Sequence, residues 1–437
     1  MHGNRGGGSS KVRKQRKSEP PPRKFLKTLG PGLITGASDD DPSGIATYSQ
    51  AGAQYGYGML WTMVLVYPFM AAIQEISAMI GRVTGRGIAG NMRQHYSGWI
   101  MYPVVSLLLV ANTINLAADI NAMGTALKMI IGGPALIYST CFALVSLTLQ
   151  ILIPYNRYAG ILKWLTLALF SYAATLFVVH VDWAAAAKGA FIPSFSFDAK
   201  TALILVAILG TTISPYLFFW QSSAEVEEVE ANTKEKPLKT APGQAPRQMQ
   251  RIQLDTYFGM AFANLIALAI MLTVAATLHQ KGAREIETAA QAAEALRPIA
   301  GPFAFLLFAL GIIGTGMLAL PVLGGSAAYA IGEALKWPVG LERNALEAKG
   351  FYGVLAVATL IALALDFHGL DPIKALFWTA VINGVISCPI MVVMMHMTSN
   401  RRVMGQFVLP RRLRITGWLA TAMMIAAAAG LFITIKK

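Results

Sequence analysis

The sequence predicts an all-α membrane protein of about eleven spans, arranged as two inverted five-helix halves with one helix added. Three observations predict it. Apolar residues make up 55% of the 437 positions and charged residues 13%, half of the roughly one quarter usual in a soluble domain; mean hydropathy is +0.52. The apolar residues fall in runs long enough to cross a bilayer, which takes ~20 residues each. Two of these runs, the first and the sixth, are interrupted by proline and polar residues at matching places, the pattern of discontinuous helices in paired halves.

In chain order, residues 1–28 carry nine Lys/Arg. With no folded basic domain behind them, they read as a disordered basic arm beside acidic lipid, and no nucleic-acid partner is expected. The acids that follow and the lack of a cleavage-type run exclude a secretory signal. The spans fall at about 31–55, 59–81, 100–125, 134–154, 159–181, 201–223, 252–278, 302–333, 351–367, 373–397 and 416–435. All read as helices, since a membrane strand needs only ~10 alternating residues. The eighth holds Pro321 and a Gly-Gly pair, so a kink or tilt is expected. The segment 224–251, with Pro237, Pro242, Gly243 and Pro246 among mixed charges, reads as a flexible connector between halves. One membrane domain therefore covers 29–437, with repeat one at about 29–182, repeat two at about 199–398 and the extra helix at about 416–435.

Orientation follows from counting. With the N-terminus inside, the inner segments hold 27 of the 36 Lys/Arg, the bias that cytoplasmic loops show. The expectation is an integral protein of the cytoplasmic (inner) membrane of a bacterium-like cell, N-terminus cytoplasmic and C-terminus outside. The two cysteines, Cys141 and Cys388, exclude a disulfide framework and a cysteine-built metal centre.

The chemistry lies where the spans break their own rules. Asp39, Asp40 and Asp41 sit inside the first apolar run, followed by Pro42, Ser43 and Gly44. A carboxylate at mid-bilayer costs ~3 kcal/mol on the mildest scale. Proline removes a backbone donor and glycine loosens the chain. The helix is expected to unwind at Asp41–Gly44 and expose carbonyls beside a carboxylate, which makes a cation site. The sixth run repeats this in milder form, with Gly210 and Pro215 as its breaking residues around Thr211, Thr212 and Ser214. Alone it reads equally as a proline kink or a site. Pro42 and Pro215 lie 173 positions apart, each in the first span of a five-span set, and that position favours a site. Oxygen donors without thioether or imidazole favour hard divalent ions such as Mg²⁺, Ca²⁺ or Mn²⁺.

Gly30-Pro31-Gly32 followed by Asp41-Pro42-Ser43-Gly44 resembles the NRAMP family of divalent metal transporters, as does Thr398-Ser399-Asn400-Arg401-Arg402 after span ten. The resemblance implies a LeuT-like fold with helices 1 and 6 broken. It implies that Asp41 is a metal-binding acid, that Ser38 and Thr211 offer backbone carbonyls, and that Ser43, Gly44 and Ser214 stand at site positions. Gly44 replaces a ligand Asn, Ser214 a ligand Met and Tyr216 a His of the family's proton route. Asp119 falls on another proton-route acid, while Ala122 stands where a second is expected. With sulfur lost and hydroxyl gained, the site resembles the NRAMP-related magnesium/manganese-type branch, with Asp39 and Asp40 as candidate contacts to a hydrated ion and weak or absent proton co-transport.

Other polar residues draw structural readings. Asn112, Asn115 and Asn121 around Asp119 read mainly as interhelical hydrogen bonders. Glu75 reads either as the partner of an Arg or as a pathway acid. Glu225, Glu227, Glu228 and Glu230 read as a solvated helix end or an ion-attracting vestibule. An amino-acid or organic-cation carrier on the same fold conflicts with three aspartates at the first break. An embedded protease would need a His-Glu-x-x-His pair or a Ser/Lys dyad, and direct ATP drive a Gly-rich phosphate loop; the sequence has none of these. The expected function is a secondary carrier of divalent metal ions. It is no enzyme, needs no cofactor or obligate protein partner, and has the ion and the lipid bilayer as its partners; a proton-coupled Mn/Fe symporter is the alternative.

Overall fold

The computed structural model describes residues 31–153, 165–194, 196, 198–367 and 371–435. The basic arm, part of the fifth expected span and the last two lysines lie outside the described residues. Every regular element described is helical, as a lipid environment requires when each backbone group must find its partner within its own segment.

The first expected span is two helices, α1 (Pro31–Asp39) and α2 (Pro42–Tyr55), separated at Asp40 and Asp41. After a short 3₁₀ turn come α3 (Leu60–Thr84), the short α4 (Ile88–His95), α5 (Gly98–Ile131) and α6 (Ala135–Leu152). The second half opens with α7 (Ala199–Thr212) and α8 (Pro215–Ala231), the two pieces of the sixth expected span. Then follow α9 (Ala245–Val274), α10 (Ala304–Leu335), α11 (Lys349–Asp366), α12 (Pro372–Ser399) and α13 (Arg411–Ile435). Nine stretches among the described residues are long and apolar enough to cross a membrane. The difference from eleven has two sources. The first span is split, and its second piece runs into the second span; the fifth is only partly described.

The third span of each half forms the centre, with α5 packed along α10 more extensively than any other described pair. α1 lies against α9. A Cβ on Gly36 would overlap the backbone of Gly259, and one on Gly32 would sit 2.9 Å from the Thr256 nitrogen. Small residues let the two backbones touch. Asp255 of α9 accepts from the Gly32 amide at 2.7 Å, satisfying one orphan donor of the first turn of α1. On the rim, α6, α11 and α13 leave Leu144, Val145, Val357, Leu360, Leu419 and Phe432 exposed, as a lipid-facing surface does.

The connector between the halves is not loose in the structure. The amides of Leu238 and Lys239 donate to the carbonyls of Arg82 and Val83, each at 3.1 Å, and Leu238 is fully buried. Gly85 caps α3 at φ 67°, and its missing Cβ makes room for Pro237. Arg82, itself buried, pairs with Glu235 of the strap and with Glu225 of α8; Arg251 of α9 also binds Glu225. The expectation of a solvated acidic end therefore fails for Glu225, which is fully buried, but holds for the exposed Glu228 and Glu230. Glu227 accepts from the Tyr329 hydroxyl at 2.6 Å and the Leu341 amide at 2.8 Å. Proline and mixed charge look like linker in one dimension; one leucine and one arginine turn this stretch into a strap.

Candidate functional site

Both breaks arise the same way. The carbonyl of Ser38 would be met, four residues on, by the amide of residue 42, and that of Thr211 by the amide of residue 215. Both positions are proline, which has no N–H to give. Each half thus ends a helix with a carbonyl that lacks its backbone donor four residues on, and a new helix begins at the proline. Gly210 lies inside α7, one turn before the gap, so its expected role as a breaking residue is corrected. Its missing side chain serves packing, since a Cβ there would overlap Ala380 and Gly384 of α12.

Asp41 is the N-cap of α2, at φ −69° and ψ 172°. Its Oδ1 accepts from the Gly44 amide at 2.8 Å and the Ser43 hydroxyl at 2.6 Å. Its Oδ2 accepts from Asn115 Nδ2 of α5 at 3.3 Å and the Tyr216 hydroxyl of α8 at 3.2 Å. Four donors from three helices thus converge on one carboxylate. Gly44 carries the second break close: a Cβ there would lie 3.2 Å from Thr211 Oγ1 and 3.5 Å from the Asp39 carbonyl. Ser214 turns its hydroxyl back onto the carbonyls of Gly210 at 2.7 Å and Thr211 at 2.9 Å. The Ile213 carbonyl, freed by the same break, accepts from Ser387 of α12 at 2.8 Å. Ser38, Asp41, Ser43, Thr211, Ser214 and Tyr216 are all within 1% of full burial, so the breaks meet in a sealed interior.

Asp39, Asp40 and Asp119 are equally buried. Among the described residues, one oxygen of Asp39 and both oxygens of Asp40 and of Asp119 have no hydrogen-bond partner. No group of three or more His, Cys, Asp or Glu converges on a metal position among the described residues. At the break, Asp41 is thus the carboxylate that four donors surround, with the Ser38 carbonyl and the Ser43 hydroxyl nearby.

Sequence reasoning undervalued Asn115 and passed over Ser387. Asn112 behaves as expected, donating to the Leu323 carbonyl at 2.8 Å and to Ser326 at 2.7 Å, whereas Asn115, three residues on, reaches Asp41. The two can be told apart only once the neighbouring helix is known. Glu75 pairs with no Arg among the described residues; Tyr257 is its partner.

A chamber of about 340 Å³ opens beyond the far end of α2, lined by Gln50, Gln54, Lys200, Glu285, Lys374 and Trp378 among others. Ser43, Thr47, Gln50 and Gln54 recur at helical spacing and so share one face of α2, a polar stripe from the chamber to the break. The amide of Ile286 donates to Gln50 Oε1 at 3.0 Å and ties the overlying loop to that stripe. A larger cavity, about 570 Å³, is an apolar groove between α5 and α11 with none of the break residues in its wall.

Two helices interrupted at mid-span, their gaps facing each other around a buried acid, define a membrane carrier of the broken-helix class. A family model described as "Natural resistance-associated macrophage protein-like" (Nramp) matches residues 32–434; the chain belongs to the Nramp family. It is 26% identical over 413 residues to the divalent metal cation transporter MntH of Klebsiella pneumoniae (strain 342), covering 92% of each chain. It is 25% identical over 419 residues to the MntH of Deinococcus radiodurans, covering 92% of this chain and 89% of that one. Among solved structures it resembles the Eremococcus coleocola manganese transporter, with a TM-score of 0.73, 16% identity, and 98% of this chain and 91% of that one covered. It also resembles Mhp1, a nucleobase-cation-symport-1 family transporter, with a TM-score of 0.56, 11% identity, and 94% and 92% covered. The fold is the LeuT-like 5+5 arrangement with helices 1 and 6 broken.

Proposed function

We propose that the chain is a secondary carrier that moves a divalent metal ion by alternating access, with Asp41 as the acid that receives it. The observation that carries this reading is the position of Asp41: a buried carboxylate at a helix break, facing the second break, with no cationic partner among the described residues. The relatives' names, divalent metal cation transporter and manganese transporter, support the same class of cargo.

Ion type follows from the donors. The resemblance places Met and Asn ligands where this chain has Ser214 and Gly44, so no soft sulfur selects transition metals. Both oxygens of Asp41 already accept hydrogen bonds. An ion that keeps part of its water shell, as Mg²⁺ does, disturbs fewer of them than one that must be stripped. The reading is therefore Mg²⁺ or Mn²⁺ in an oxygen-lined, water-assisted site, with Ser38, Thr211 and Ser214 contributing oxygens and Asp39 and Asp40 holding the hydrated ion through water.

Proton coupling is expected to be weak, because Tyr216 and Ala122 stand at two of the three proton-route positions. The net charge would then move on its own gradient and on membrane potential, worth ~2.3 kcal/mol per charge per 100 mV. The second reading is a proton-coupled Mn/Fe symporter, favoured by one observation, the buried Asp119 with both oxygens unpartnered among the described residues. The charge bias supports an orientation with the N-terminus and the strap in the cytoplasm and the Gln50 chamber outside.

The test is Mn²⁺ uptake into proteoliposomes with Mg²⁺, Ca²⁺ and Cd²⁺ as competitors, read with an internal pH dye at clamped potential. Competition by Mg²⁺ without acidification is expected. Acidification that tracks uptake and disappears in Asp119→Asn would replace this reading with the symporter, and no uptake of any of these ions would end both.

A further inference from the structure

We infer that the Tyr216 hydroxyl is a built-in occupant of the cation's seat, held there while the site is empty and expelled when the ion enters. The inference rests on the reading of Asp41 as the cation-binding acid and deepens it.

The geometry starts from Pro215. As the first residue of α8, it sets the start of that helix and places Tyr216 one residue in, facing the first break. The ring is buried. Its hydroxyl lies 3.3 Å from the Ser38 carbonyl and 3.2 Å from Asp41 Oδ2. These two oxygens belong to the C-terminal end of α1 and the N-cap of α2. One is the carbonyl that Pro42 leaves without a donor, at the negative end of a helix; the other is a carboxylate. They are the pair of oxygens at this break that a cation would bridge, and here a phenolic O–H sits between them.

The contact is suited to being temporary. One proton is shared between two acceptors, and both distances exceed the usual 2.7–2.8 Å of an O–H···O bond. The second break is capped locally. There the orphaned Thr211 carbonyl is met by Ser214 at 2.9 Å, from the adjoining turn of the same chain segment. The first break borrows its cap from the opposite half of the molecule, 178 residues away in sequence. Filling the seat with an ion must therefore break a bond between the halves, and emptying it restores that bond.

The experiment compares Mg²⁺ and Mn²⁺ binding by calorimetry to the full-length detergent-purified protein, Tyr216→Phe and Asp41→Asn. Phenylalanine keeps the ring and removes the occupant. Binding to Tyr216→Phe is expected to tighten by about 3- to 10-fold, the scale of one hydrogen bond no longer lost on entry. In uptake, KM and kcat should fall together, because a tighter ion leaves more slowly. Weaker binding would make the hydroxyl a ligand and overturn the inference; unchanged binding would show that it does not compete. Asp41→Asn separates the two levels. If it binds like the parent, the Asp41 site itself is wrong; if it loses binding while Tyr216→Phe fails to gain, only the occupant is wrong.

Should Tyr216→Phe not fold, 3-fluorotyrosine at position 216 gives the same answer by ¹⁹F NMR. An expelled hydroxyl moves to one new resonance, the same for Mg²⁺ and Ca²⁺. Ion-specific resonances, or no change at saturation, would overturn the inference.

Discussion

Two buried acidic regions stand at different depths of this molecule. At the helix breaks, Asp39, Asp40, Asp41 and Asp119 have no ion pair among the described residues. At the strap, Glu225 and Glu235 meet Arg82 and Arg251. Removing one member of a buried pair strands the other at a cost of several kcal/mol, so the strap has its counter-charges built in and is structural. Acids kept without counter-charge in a membrane interior cost stability at all times, which fits the proposed role of Asp41 as the seat of a cation that comes and goes. The same residue types thus do opposite work, and the presence of arginine separates them.

The largest effect expected from this contrast is at Asp41. Asp41→Ala should abolish metal uptake while costing only about 1–2 kcal/mol of stability, the scale of a lost N-cap, because no counter-charge is stranded. Near-parental uptake of Mn²⁺ and Mg²⁺ by a well-expressed Asp41→Ala protein would break the comparison at its active end.

Arg82→Ala is the mirror experiment. It removes the partner that Glu225 and Glu235 share, while Arg251 still holds Glu225, and should lower stability by about 1–3 kcal/mol, seen as early thermal unfolding in detergent. An unchanged unfolding temperature would mean that the strap is not held by this network.

Asp119→Asn lies between them. Removing a buried acid that has no partner among the described residues should not lower the unfolding temperature, and saturable metal uptake should persist. Loss of folding would place Asp119 with the structural acids.

The smallest effect concerns pH. Burial raises the pKa of Glu235, but the hydrogen bond and charge of Arg82 outweigh it and hold the carboxyl below its ordinary 4.5. A group whose folded pKa is depressed contributes its stability fully above the ordinary value and loses it as pH falls through the lowered one. The difference in unfolding temperature between the parent and Glu235→Gln should therefore be full at neutral pH and shrink only below about pH 4.5. A gap that is constant down to the acid limit would mean that the Arg82–Glu235 charge pair does not contribute.

The linear chain carried much of this on its face. Span lengths are set by bilayer thickness, and an aspartate trio with Pro42 inside an apolar run has no structural excuse, so the carrier architecture and the helix break at Asp41 could be read from residue order. Proline lacks its amide in any context, so the two orphaned carbonyls at Ser38 and Thr211 were also implicit in the sequence. Which donor would reach each carbonyl was not. Ser214 and Tyr216 are both hydroxyl residues beside Pro215, yet one turns inward to its own helix and the other crosses to the opposite half. Asn112 and Asn115 are indistinguishable by composition, and Arg82 reads as an ordinary inner-end arginine until Glu225 and Glu235 are brought to it. Local chemistry fixes which groups need partners; most of the partners lie on other helices, from 74 residues away for Asn115 and Asp41 to 178 for Tyr216 and Ser38, and only the packing of helices decides who arrives.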